Sequence, residues 1–74
     1  MIKIKISELL GRHKMTQKAL ADATGIREAT ISNLYHEVTK RIEIEHIDKL
    51  CEALHCQVGD LFEYVKNDDV DIDE

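Results

Sequence analysis

The 74-residue chain has no proline and no tryptophan, only three glycines, and only three aromatic residues, two tyrosines and one phenylalanine. Uncharged apolar runs extend over only a few residues, which excludes an ordinary membrane-crossing helix. The opening MIKIKISELL alternates instead of forming an apolar block, so a secretory signal is not expected. A cytoplasmic location is expected, with the two cysteines reduced. A glycine-rich phosphate loop is missing as well.

Three further chemistries find little support. His46, Cys51, His55 and Cys56 lie near one another in sequence, but they lack the paired-ligand spacing of a zinc site. No metal and no cofactor is expected. Ser32 and His36 form an i,i+4 pair, yet no orienting acid or oxyanion donor set accompanies them. The chain is also short for a deep pocket, so neither an enzyme nor a small-molecule substrate is expected. Lys3 and Lys5 would attract an anionic membrane surface, but the acidic end of the chain would be repelled by it. No membrane partner is expected.

What is present is a sharp asymmetry of charge. The net charge is −5, which taken whole opposes nucleic-acid binding. Residues 1–41, however, hold eight basic and four acidic side chains, a net +4, and residues 42–74 hold two and eleven, a net −9. The pattern suggests a basic working face on an acidic remainder.

The chain reads as one small domain of all-α class with a short N-terminal β-strand. Ile2-Lys3-Ile4-Lys5-Ile6 alternates with period two and predicts a strand over residues 1–6. Ser7 is placed to cap a first helix, from Glu8 to about His13, with Leu9 and Leu10 inward. Thr16 is placed to cap a second helix, Gln17 to about Ala23, with Ala19, Leu20 and Ala23 as its inner stripe. Gly25 ends that helix and Ile26 plugs the turn. A third helix follows from about Arg27 to Tyr35. A fourth, about Glu45 to Leu54, carries Ile47, Leu50, Cys51 and Leu54 at i, i+3, i+4 and i+7, and His55 ends it. A fifth is expected from about Val58 to Val65, burying Val58, Leu61 and Phe62. The five helices occupy residues 7–65.

Residues 66–74 form an acidic tail. Asp69-Val70-Asp71-Ile72-Asp73 alternates as the N-terminal isoleucines do, with opposite charge. The tail is expected either to pair with the N-terminal strand or to fray as a solvated end.

The stretch TGIREATISNLYHE, residues 24–37, raises the functional question. Ile31 and Leu34 share one face of its helix, and short hydrogen-bonding side chains fill the rest. With the helix before it and the Gly25 turn, it forms a helix-turn-helix. MTQKALADATGIREATISNLY resembles the Cro/lambda-repressor-type (Xre) helix-turn-helix family. The resemblance rests on Thr16-Gln17, Ala21, Gly25-Ile26 and Thr30-Ile31-Ser32, and EHIDKLCEALHCQVGDLF resembles the family's last two helices.

The resemblance implies a five-helix lambda-repressor-like domain, double-stranded DNA as partner, a homodimer, and a transcriptional regulator, expected to repress. It puts the third helix in the DNA major groove, with Arg27, Glu28, Ala29, Thr30, Ser32 and Asn33 as candidates for base contact. Those residue types suit base reading, since arginine bonds guanine, asparagine bonds adenine, glutamate accepts from cytosine, and alanine packs on a thymine methyl. Gln17, at a helix start whose N–H groups favour an anion, is the family's phosphate contact. Lys14, Thr16, Lys18, Lys40 and Arg41 are the further phosphate candidates. Cys56 falls where the family carries a buried aliphatic, so both cysteines read as small hydrophobes. The sequence departs from the family pattern at Arg27, where Ser or Thr is usual, at Glu37, where glycine is usual, and at Gln57, where Ser is usual. The alternative is a protein-interaction module or antitoxin-like partner that keeps this fold and uses its acidic half for contact.

Overall fold

The computed structural model describes residues 1–66. Seven elements follow in order: β1 (Ile2–Ile4), α1 (Ile6–His13), α2 (Gln17–Thr24), α3 (Glu28–Tyr35), α4 (Ile44–Leu54), α5 (Val58–Leu61) and β2 (Phe62–Tyr64). One core runs through all five helices: Ile6, Leu9, Leu10, Leu20, Ala21, Ile26, Ile31, Leu34, Leu50, Leu54 and Leu61 are buried. The five-helix architecture with its N-terminal strand is therefore as expected.

The strand is shorter than the alternation predicts. Ile6 is fully buried and opens α1, so the period-two pattern ends where the core claims an isoleucine. Ser7 does not cap the helix. Lys5 holds the cap position without a side-chain bond, and its N–H donates to the Leu61 carbonyl at 2.7 Å.

The fifth helix is also shorter, ending at Leu61 instead of near Val65. Phe62 turns extended (φ −129°, ψ 149°), because β1 takes Phe62–Tyr64 as its antiparallel partner. The register is Ile2↔Tyr64, Lys3↔Glu63 and Ile4↔Phe62. Lys3 thus faces an opposite charge across the ribbon, a favourable pairing. The expected alternative partner, residues 69–73, lies outside the described residues. Val58 is exposed, not buried, and Phe62 is half-buried; a one-turn helix can bury only one face, and Leu61 takes it.

On α2 the inner stripe is Leu20, Ala21 and Thr24. Ala19 and Ala23, expected inward, are exposed. The stripe turns toward α3 because Thr24 and Ile26 go into the turn together.

Among the described residues, three non-glycine residues take positive φ: Lys14 (52°), Glu37 (59°) and His55 (52°). Lys14 and His55 close α1 and α4 in the left-handed region, as expected of His55. Glu37 adopts the conformation that a glycine would supply there.

Candidate nucleic-acid interface

The two helices of the turn are joined by a short chain of bonds. Thr16 Oγ1 accepts from the Ala19 N–H at 3.0 Å and so caps α2. Gly25, at φ 78°, donates its N–H to the Ala21 carbonyl at 2.8 Å. Buried Thr24 adds three bonds: its hydroxyl donates to the Leu20 carbonyl at 2.8 Å and more weakly to the Ala21 carbonyl at 3.4 Å, and it accepts from the Ile26 N–H at 3.2 Å. Ile26, 4% exposed, then seats the turn in the core.

Arg27 holds the cap position before α3, and its side chain makes no capping bond. Its backbone carbonyl accepts from the Thr30 and Ile31 N–H groups instead. Ile31 and Leu34 face inward and are buried. The 100° step of a helix puts Ala29 and Asn33 on the opposite side, and both are exposed. Thr30 and Ser32 flank them, half-buried, while Arg27 and Glu28 are exposed at the start.

One groove lies along α3 and another meets its last residue, and they sort the remaining candidates. One, of about 530 Å³, joins Thr30 and Asn33 with Thr39, Arg41 and His46. Its loop is braced by Thr39 Oγ1 donating to the Arg41 carbonyl at 2.8 Å. The other, of about 370 Å³, joins Lys14, Thr16 and Gln17 with Ser7 and Tyr35. The last residue of α3 and the first turn of α2 thus share one wall. Lys18 lines neither groove and sits 3.8 Å from Asp22 in an exposed pair. Lys40 lies on the far side of the loop, beside Arg41 in a third groove.

Tyr35 and His46 line these grooves without being site candidates by sequence. The local pattern marks Tyr35 only as a helix end, and nothing in it makes Tyr35 a neighbour of Gln17. In the sequence His46 is weighed only as a metal ligand and set aside; it lines the groove of Asn33 and Arg41, with its Nε2 3.8 Å from Glu43 Oε1.

A family model described as the Cro/C1-type HTH DNA-binding domain matches residues 5–67. The chain belongs to that family. The match takes in all five helices, so the Cro/C1-type assignment does not rest on the turn alone. The chain is also 35% identical, over 66 residues, to an uncharacterised HTH-type transcriptional regulator, YozG, of Bacillus subtilis (strain 168); the match covers 89% of this chain and 79% of the relative. It is 41% identical over 44 residues to transcription initiation factor IIB of Methanoregula boonei (strain DSM 21154 / JCM 14090 / 6A8), covering 60% of this chain but 13% of the factor. The same identity and coverage hold for the factor of Methanosphaerula palustris (strain ATCC BAA-1556 / DSM 19958 / E1-9c).

For a Cro/C1-type domain the cysteines are less buried than expected. Both are free and only half-buried, because the cleft they share with Ile44, Asp48 and Val58 is open. Burial and then the neighbouring Cys51 thiol push the Cys56 thiol above its ordinary value. Among the described residues, no three His, Cys, Asp or Glu side chains gather as a metal site, and no helix is long and apolar enough to cross a membrane.

Proposed function

We propose that this domain is a sequence-specific transcriptional regulator that lays α3 in the major groove of double-stranded DNA. The observation that carries the reading is the exposed Ala29/Asn33 face of α3, with Arg41 across the groove beside Asn33 and with Lys14, Thr16 and Gln17 lining a second groove at the helix's last residue, Tyr35. Ala29 and Asn33 read bases from the centre of the exposed face, with Thr30 and Ser32 at its sides and Arg27 and Glu28 at its start. Asn33 suits adenine and Arg27 suits guanine. Lys14, Thr16 and Gln17 grip the phosphate backbone on one side, and Lys40 and Arg41 on the other; Lys18 adds long-range attraction. Such contacts set register without selecting sequence. The basic half of the chain supplies the field, and the acidic half stays outside the duplex.

The regulator acts as a homodimeric repressor that occupies its operator. Two copies related by a twofold axis would read half-sites about 34 Å, one helical turn, apart. Exposed Ile44 and Val58, flanking one open cleft, support a second copy. They equally support the rival reading, a protein-interaction module, because the charged side chains lining that cleft are Glu45 and Asp48.

In vitro selection from a random duplex pool tests the proposal. A palindromic motif, bound with an affinity that falls steeply with salt, is expected. Recovery of no motif, with salt-independent retention on DNA, would leave the interaction module as the better reading.

A further inference from the structure

A groove of about 410 Å³ lies between the ribbon and the α3–α4 loop. Ile4, Ile42, Ile47 and Phe62 form its floor, and all four are half-buried. Lys40 and Arg41, both exposed, stand at its rim. Among the described residues, no carboxylate lines it. Three other grooves differ here, with Glu45 and Asp48 lining one, Glu43 a second and Glu52 a third; the groove of Lys14 and Gln17 also lacks a carboxylate but holds one cation, not two. An apolar floor beneath two cations fits a ligand that alternates apolar and acidic residues.

The chain carries such a segment. Residues 67–74, outside the described residues, hold Asp68, Asp69, Asp71, Asp73 and Glu74 and no basic side chain, with Val70 and Ile72 between them. In an extended chain Val70 and Ile72, two apart, point to one face and Asp69, Asp71 and Asp73 to the other. The segment also starts in the right place. The Val65 N–H bonds the Met1 carbonyl at 2.7 Å, and Ile2, the register partner of Tyr64, stands at the groove's mouth. The stretch from 67 to 70 spans up to about 13 Å, against a strand spacing of about 4.8 Å. That length suffices to round the end of β1.

We propose that this groove is the docking site of the chain's own residues 68–73, which cover Lys40 and Arg41 and hold the domain back from DNA. Val70 and Ile72 lie on the isoleucine floor while the aspartates meet the two cations. The docking stands on the groove and the tail; its effect on DNA rests on the proposed function. DNA must displace the tail before its phosphates reach Lys40 and Arg41, so the tail raises the affinity threshold for weak, non-specific sites.

The test uses the full chain and a Val70→Ser/Ile72→Ser variant, which keeps every charge and leaves the described fold untouched. Amide NMR spectra of the two are compared at equal concentration. Docking predicts shifts at Ile42, Ile47 and Phe62; shifts confined to the substituted tail would overturn it. Shifts that grow with protein concentration would assign the tail to a second copy and overturn the intrachain placement. Affinity for a random-sequence duplex is read separately. The variant should bind about five- to tenfold tighter at low salt, with the gap closing as salt screens the tail. NMR shifts without any DNA binding by either chain would keep the docking and sink the DNA reading. Equal affinity of both chains for a duplex they do bind would overturn the autoinhibition.

Discussion

The carboxylate of Glu37 accepts a hydrogen bond from the backbone N–H of Ile4 at 3.2 Å, across 33 positions of sequence. It ties the turn after α3 to the outer edge of β1. The same residue holds φ at 59°, a region that disfavours a side chain by about 1 kcal/mol. Its own N–H bonds the Leu34 carbonyl, and the next, of Val38, bonds Asn33. Glu37 therefore combines a backbone liability with a long-range tie. Because the bond is exposed and rather long, it offsets the strain without greatly exceeding it.

Two substitutions separate the effects. Glu37→Ala keeps the strained backbone and loses the bond, and should destabilise by about 0.5–1.5 kcal/mol. Glu37→Gly loses the bond and relieves the strain, and should fall within about 0.5 kcal/mol of the parent. Urea melts of the three chains check the order. An alanine variant as stable as the parent would show that the tie to Ile4 contributes nothing.

Thr24 should matter more than its place in an alanine-rich helix suggests. Thr24→Val preserves shape but removes the acceptor for the Ile26 N–H and the donor to the Leu20 carbonyl. A buried N–H left without a partner costs about 1–3 kcal/mol. Thermal melts should show that loss, whereas the exposed Ala23→Ser should change stability by less than about 0.5 kcal/mol. Equal melting of both variants would contradict the role given to the turn.

What could be read in the sequence was local. Thr16, Gly25 and His55 mark helix ends through chemistry confined to one turn, and the structure places each as expected. The Ile31/Leu34 stripe is similarly a matter of period. The ribbon was not legible in this way. Val58, Leu61, Phe62 and Val65 fit a helical period, and only a strand at the opposite end of the domain's sequence makes Phe62–Tyr64 extended. Pairing so distant leaves no trace in a local pattern. The candidate site divides along the same line. The exposure of Asn33 follows from helix period, but the meeting of Tyr35 with Gln17, and of His46 with Arg41, depends on how α1 and α4 pack.

Cys56 should react slowly with thiol reagents. Burial first, then the Cys51 thiol beside it, raises its pKa above the ordinary 9.0, and the thiolate is the nucleophile. At pH 8 its alkylation by iodoacetamide should lag behind that of the unfolded chain, and Cys51→Ala should speed it. The linkage runs the same way: a thiol whose folded pKa is raised contributes stability that is complete below its unfolded value and lost as pH rises through the folded value. Mass spectrometry of timed samples reads the rates. Alkylation of Cys56 as fast in the folded as in the unfolded chain would refute the shielding.

The division between reading and gripping can be separated by salt. Asn33 is exposed opposite the Ile31/Leu34 stripe, so Asn33→Ala should cost about 1–3 kcal/mol on the selected site and relax preference at one position. Asparagine carries no charge, so the slope of log K against log salt should stay as it was. Arg41 stands across the same groove on a loop braced by Thr39. Arg41→Ala should weaken all sequences alike and flatten that slope by about 0.9 if it meets one phosphate. Fluorescence anisotropy on the selected site and on a scrambled duplex, across a salt series, supplies both affinities and both slopes. The two residues share one groove, so a shift of the whole helix would move both readouts together in either variant. A changed slope in Asn33→Ala, or a changed motif in Arg41→Ala, would therefore show that α3 does not sit in the major groove as proposed.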